Sequence, residues 1–277
     1  MASYLRPRTI EEALRARSRG GWTVLAGGTD FYPARVGRPV DEDVLDLSAL
    51  AVLRGIRAEA SAIRIGALTT WSEISRAALP PALDALKQAA REVGGLQIQN
   101  AGTVGGNLCN ASPAADGIPP LLALGAAVEL RSSRATRCLP LGEFVRGNRQ
   151  TACAADEIVT AIVVPRWPDG SRSAFLKLGA RRYLVISIAM VAAVAAADER
   201  GRIARCGVAV GACSPVARRL DALEAELVGR PLAPGLGALA EPRHLAPLAP
   251  ISDVRATAEY RRDAVLTLVR RALERLA

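Results

Sequence analysis

The sequence predicts an α+β protein of two domains, and three observations predict it. Helical and strand patterns are interleaved over roughly the first 168 residues. The turn-rich stretch Pro165-Arg166-Trp167-Pro168-Asp169-Gly170 follows and marks a boundary. Beyond it, three strand patterns come in a row before two helical ones, the order expected of an α+β unit.

The first domain opens with a helix over 9–19, where Thr9 is the N-cap and Glu12 stands three residues on, as in a capping box. Trp22 to Ala26 reads as a short strand running into Gly27-Gly28, and Val44 to Leu47 as a second. Ile63 to Ala67 alternates like a third. Trp71 to Val93 is mainly helical, interrupted at Pro80-Pro81. A helix over Ile118 to Leu124 leads into the strand Ala127 to Leu130, and Glu157 to Val164 is a strand closed by Pro165. In the second domain, Phe175 to Leu178, Ile186 to Ala197 and Ile203 to Gly211 read as strands. Helices are expected over Val216 to Leu227 and Ala256 to Leu276.

Composition narrows the function. With 277 residues, 50% of them hydrophobic, the chain can bury a sizeable core. The longest apolar run, Ile186 to Ala197, is well short of the ~20 residues a spanning helix needs. No apolar signal-peptide core follows Met1, so no membrane association and a cytoplasmic location are expected. The net charge of +9 is carried almost wholly by scattered arginines, and lysine occurs only at Lys87 and Lys177. Aromatics are 4% of residues, so the stacking platforms of single-strand binders are scarce and no nucleic-acid partner is expected. Cys109, Cys138, Cys153, Cys206 and Cys213 form no CxxC pair, and His244 is the sole histidine. That argues against a zinc or iron–sulfur site held by this chain alone, and no metal ligand is nominated. Cys109, beside a glycine-rich segment, is either a reactive thiol or a small apolar filler.

Two glycine-rich segments carry the chemistry. The first, Ala26-Gly27-Gly28-Thr29-Asp30, ends a strand, and its N–H groups and Thr29 hydroxyl can cradle an anion. The second, Gly102-Thr103-Val104-Gly105-Gly106-Asn107, reads as a loop able to offer donors from the opposite side, as a pyrophosphate requires. Neither has a Lys or Arg, and neither is a Rossmann fingerprint or a P-loop.

Taken together, Leu25-Ala26-Gly27-Gly28-Thr29-Asp30 and Asn100-Ala101-Gly102-Thr103-Val104-Gly105-Gly106-Asn107, with Pro113 and Asp116, resemble the FAD-binding medium subunit of the xanthine dehydrogenase and carbon monoxide dehydrogenase family. Three later segments share the resemblance: Phe175 to Arg182, Val210 to Pro215, and Ile251 to Arg262. It implies a vanillyl-alcohol-oxidase (PCMH)-type FAD-binding domain over 1–168, of two α/β lobes split near 57, and a smaller α+β C-terminal domain over 169–277. It implies that Val24, Leu25, Ala26, Gly27, Gly28, Thr29, Asp30 and Phe31 flank the FAD diphosphate with Thr103, Val104, Gly105, Gly106 and Asn107. Asp116 would bond the cofactor's polar chain, and Val93 and Val159 would line its apolar surroundings. Lys177 would lie near the isoalloxazine ring, its alternative being a solvated surface lysine.

Relatives often have an acidic residue after the Arg181-Arg182 pair; here Tyr183-Leu184-Val185 stands, with Tyr183 read as a stacking or a packed surface residue. Asp253, Arg255, Glu259, Arg261 and Arg262 read as an intradomain ion-pair network or as a docking face. The resemblance further implies an electron-relay subunit with no catalytic base of its own. Molybdopterin would sit on a large partner subunit and [2Fe–2S] clusters on a small one, in a dimer of heterotrimers. Electrons would pass through FAD to NAD+, oxygen or a quinone-type acceptor. The rival readings are a stand-alone flavin oxidase or reductase of the same fold, and a cofactor-free scaffold.

Overall fold

The computed structural model describes residues 2–277. Its first layer is a small parallel sheet in the order β1-β3-β2, from Tyr4–Leu5 (β1), Thr23–Leu25 (β2) and Val44–Asp46 (β3). Helix α1, Ile10–Ser18, carries the chain from β1 across to β2 on the far side of β3 and lays Ile10, Ala13 and Leu14 on Leu45, Leu47 and Leu50. Thr9 caps α1 by accepting from the Glu12 N–H at 3.2 Å. The expected capping box is half formed, since the Glu12 carboxylate takes the Arg8 N–H instead, at 2.9 Å.

The second layer is an antiparallel sheet in the order β4-β5-β10-β6-β7. Its strands are Ile56–Ala58 (β4), Ala62–Gly66 (β5), Ala127–Arg131 (β6), Thr136–Pro140 (β7) and Ile158–Pro165 (β10). A hairpin of Val145–Gly147 (β8) and Gln150–Thr151 (β9) precedes β10. The last strand of the unit therefore inserts between two earlier ones, with Ala161 opposite Gly66 and Val163 opposite Ala127.

One face of this sheet buries Ile65, Val128, Leu130 and Ile162 under Trp71, Leu86 and Leu121. Those three belong to helices α2 (Trp71–Arg76), α3 (Asp84–Glu92) and α6 (Ile118–Ala123). The helical stretch from Trp71 is interrupted as expected around Pro80-Pro81: α2 ends at Arg76 and α3 starts at Asp84. Two further short helices, α4 (Leu96–Ala101) and α5 (Val104–Asn110), lie between α3 and α6, and α7 is the single turn Leu141–Phe144.

The third layer is the meander β11-β12-β13-β14, from Arg172–Leu178, Ala189–Ala197, Ile203–Gly211 and Arg218–Arg219. Strand β12 is buried on both faces, which explains its continuous apolar run. Met190, Ala192 and Val194 join the core shared with α3 and α6, whereas Ala189, Val191, Ala193 and Ala195 face the opposite way. That opposite face is covered by α8 (Asp221–Leu227) and α9 (Ala258–Glu274). The helix expected from Val216 begins only at Asp221. Before it, Arg218 and Arg219 pair with β13 as an edge strand, and Arg219 is held by Glu224 at 3.0 Å. No helix among the described residues is long and apolar enough to cross a membrane.

Candidate cofactor site

The three layers meet around a cavity of about 950 Å³. It lies between the turn after β2, helix α5, the start of β10 and the segment between β11 and β12. All the residues anticipated from the sequence line it except Val104, which is fully buried at the start of α5, and Lys177.

The first glycine turn is built to accept an anion. The N–H groups of Gly27, Gly28, Thr29, Asp30 and Phe31 find no acceptor among the described residues. Five consecutive uncommitted donors in a concave turn make a nest for negative charge. Gly28 has φ +72°, the left-handed region where a side chain is strained. Gly27 is required for a different reason: a Cβ there would stand 1.9 Å from the Ala101 carbonyl oxygen, so this turn rests directly on the second segment's backbone.

The second segment corrects the sequence reading, for it is not a loop. Residues 104–110 form α5, with Thr103 as N-cap accepting from the Gly106 N–H at 3.1 Å. The Val104 N–H donates to Thr69 O at 3.0 Å, Gly105 to Ala67 O at 2.9 Å and Asn107 to Thr103 O at 3.0 Å. Donors from this side are thus committed within the chain, and the nest is one-sided. A Cβ on Gly105 would meet the Ala67 oxygen at 2.7 Å, so this glycine seats α5 against the end of β5. A Cβ on Gly106 would meet little besides Thr103 Oγ1, at 2.9 Å. The Asn107 Oδ1, buried at the cavity wall, has no hydrogen-bond partner among the described residues, an orphan acceptor that a bound ligand can satisfy. Nest, orphan acceptor and cavity size together fit a dinucleotide.

At one end of the cavity, Asp116 accepts from Ser187 Oγ at 2.6 Å and from Lys177 Nζ at 2.8 Å. Lys177 also donates to Glu92 O at 3.1 Å. Burial pushes the Asp116 carboxyl above its usual range, while the Lys177 charge and both hydrogen bonds pull it back. Lys177 is therefore neither solvated nor in the wall: it stands behind Asp116 and neutralises it. The same end is bordered by Leu184, Val185 and Ile186. Leu184 has φ +51°, and its carbonyl is held by the Arg181 Nε at 3.1 Å. Tyr183 points outward, with the Arg182 guanidinium 5.1 Å from its ring centre.

Three arginines at the cavity wall were not legible in the sequence: Arg17 on α1, Arg35, and Arg149 in the β8–β9 turn. Arg17 and Arg149 lie outside both glycine segments and only folding brings them in, whereas Arg35 stands four residues after Phe31 and donates Nη1 to its carbonyl at 2.7 Å. Arg35 pairs with Glu42 and stacks 3.7 Å over the Phe31 ring, and Arg149 pairs with Asp30 at 3.1 Å. Cys109 resolves neither way expected of it. Its side chain is exposed to the cavity rather than packed as a filler, yet the surrounding protein pushes its thiol up to about 12. Cys109 should accordingly alkylate with iodoacetamide at neutral pH far more slowly than free cysteine, as peptide mass spectrometry can follow. A rate matching free cysteine would show a thiolate that this environment does not support.

Asp253 and Arg261 form an ion pair of 2.7 Å, and Arg261 Nη1 also holds the Ile188 and Ala212 carbonyls. Asp253 and Arg261 thus clamp the ends of β12 and β13 from inside, and Arg255 also pairs with Asp253 at 3.2 Å, while Glu259 and Arg262 are exposed.

Comparison with known proteins agrees with this architecture along the whole chain. Residues 1–167 match the FAD binding domain in molybdopterin dehydrogenase, and residues 174–276 the CO dehydrogenase flavoprotein C-terminal domain. The chain is 35% identical over 237 residues to the nicotinate dehydrogenase FAD-subunit of Eubacterium barkeri, covering 83% of this chain and 80% of that one. It is 32% identical to a putative xanthine dehydrogenase FAD-binding subunit of Escherichia coli K12, covering 98% and 94% of the two chains. Among solved structures, a chain of the reconstituted CO dehydrogenase from Oligotropha carboxidovorans superposes with a TM-score of 0.89 at 29% identity, covering 100% of this chain and 97% of that one.

Proposed function

This chain belongs to the FAD-binding subunits of the xanthine dehydrogenase and CO dehydrogenase family of molybdenum hydroxylases, and from that premise we propose that it is the electron-relay subunit of such an enzyme. Its partners are a molybdenum-binding large subunit and a [2Fe–2S] small subunit, assembled as a dimer of heterotrimers. The chain divides into an FAD domain over 1–168 and a C-terminal domain over 169–277. FAD, when bound, takes electrons from the iron–sulfur side and gives them to NAD+, oxygen or a quinone-type acceptor.

The observation that carries the reading is the run of uncommitted N–H groups from Gly27 to Phe31, facing a cavity sized for a dinucleotide. These donors would hold the diphosphate, with Val24 to Ala26, Thr103, Gly106 and Asn107 around it. Val104 and Gly105 would act by seating α5. Val93 and Val159 would supply apolar wall, and Lys177 would act through Asp116. The flavin ring is assigned to the Asp116 end. There the exposed side chains of Tyr183, Leu184 and Ile186 bring the surface, and hence an electron partner, close to the cavity.

Co-purification tests the reading. A yellow chain that elutes with molybdenum- and iron-containing chains is expected. A colourless chain that gains no flavin absorbance with added FAD would overturn it. The two glycines of α5 separate further. Gly106→Val should lose flavin at a cost of about 1 kcal/mol, the scale of one damaged helix cap. Gly105→Val should in addition destabilise the fold by about 1–3 kcal/mol, because the side chain drives α5 off Ala67. Flavin content and urea unfolding of both variants decide this, and unchanged flavin in both would remove α5 from the site.

A further inference from the structure

We propose that Arg17 is the charged recognition group for the adenosine-diphosphate half of the cofactor, which makes this site select a dinucleotide over a flavin mononucleotide. The inference rests on the FAD reading above and adds to it a residue outside both glycine segments.

Arg17 lies in the last turn of α1 and reaches the cavity at the end formed by Trp22, Cys109, Cys153 and Ala154. Asp116 and the apolar 184–186 segment line other parts of the wall and make no bond to Arg17. Its guanidinium is fixed by two backbone carbonyls: Nη1 donates to Trp22 O at 2.8 Å, and Nε to Glu157 O at 3.3 Å. Nη2 makes no bond among the described residues. No carboxylate among the described residues pairs with Arg17. The nearby Glu157 carboxylate is taken by Arg137, at 2.6 and 2.8 Å, and by the Ala154 N–H at 2.8 Å.

The other two arginines of the wall have acidic partners, Glu42 and Asp30. Arg17 is the cavity's one guanidinium without such a partner among the described residues. The thiols beside it add no negative charge, since desolvation by the surrounding protein pushes Cys109 up to about 12 and Cys153 up to about 11. This end therefore carries a pre-oriented, uncompensated positive charge, held in place before any ligand arrives. A dinucleotide diphosphate brings negative charge, and the neutral donors of Gly27 to Phe31 supply no counter-charge of their own. A guanidinium fixed through two of its nitrogens, with donors left over, suits a phosphate oxygen or the polar edge of an adenosine. A mononucleotide lying at the Asp116 end would leave Arg17 unused.

The test is calorimetric titration of the full chain, stripped of flavin, with ADP, FMN and FAD in turn. The wild-type chain should bind FAD and ADP. Arg17→Met should weaken ADP and FAD by roughly tenfold or more, the scale of a lost charge-assisted hydrogen bond. FMN affinity should change less than about twofold. Arg17→Lys, which keeps the charge without the fork, should recover part of the ADP affinity. Urea unfolding of each variant guards against a folding defect. Unchanged ADP affinity in a folded Arg17→Met chain would overturn the proposal, as would an equal loss for ADP and FMN. If the wild-type chain binds neither FAD nor ADP, the FAD reading itself fails.

Discussion

Replacing Lys177 with methionine is expected to destabilise the chain by about 3–5 kcal/mol at neutral pH, the scale of a buried ion pair broken on one side. Lys177 and Asp116 side chains are 6% and 9% exposed, so solvent screens the pair little. Without the ammonium, the Asp116 charge is left facing Ser187 and a low-dielectric wall, and its carboxyl rises further above its unfolded value. A group so raised contributes stability below its unfolded pKa and loses it as pH climbs through the folded one. The deficit relative to the wild-type chain should therefore be full at neutral pH and shrink as the solution is made acid. Urea unfolding at the two conditions reads it directly, and a deficit that grows on acidification would refute the account. The double variant Lys177→Met with Asp116→Asn should recover much of the loss. It removes both charges while leaving an oxygen for the Ser187 hydroxyl.

Gly27→Val should yield a chain with almost no flavin and about 1–3 kcal/mol less stability, the usual cost of overpacking. The added Cβ would stand 1.9 Å from Ala101 O and 2.7 Å from its carbonyl carbon, and backbone of this kind does not swing aside. The turn must lift off α4, and the five donors of the nest lose their common aim. Gly28→Ala is the informative contrast. Its Cβ meets the ring of Tyr32, 55% exposed and able to rotate, so the main cost is the left-handed backbone, about 1–2 kcal/mol. Flavin content of that variant should fall less. A Gly27→Val chain purified with one flavin per protein would mean that contact between the two segments does not shape the site.

The α+β class, most strands and helix α9 were legible because each rests on a local signal. Strand β13 fits its apolar run residue for residue, and α1 follows from Thr9 and the spacing of Ile10, Ala13 and Leu14. Gly27 and Gly28 were legible as a turn, since glycines after a strand have few other uses.

What the sequence could not carry was pairing between distant segments. Helix α5 was hidden because Gly105 and Gly106 are poor helix formers; the Thr103 cap and the bonds to Ala67 and Thr69 override that preference. Strands as short as β4 and β14 exist only because a neighbour supplies their hydrogen bonds. Lys177 was singled out by the family resemblance, but whether it faces solvent, cavity or carboxylate depends on β11 meeting the turn that bears Asp116. Arg17 gave no signal at all, since one arginine on an amphipathic helix resembles any other. Sequence alone thus determined those local conformations that carry their own signal and, through the glycine segments and the resemblance they carry, the kind of ligand. The tertiary structure decided which charges are compensated within the cavity and which are left for the ligand, because ion pairs depend on spatial separation and not on spacing along the chain.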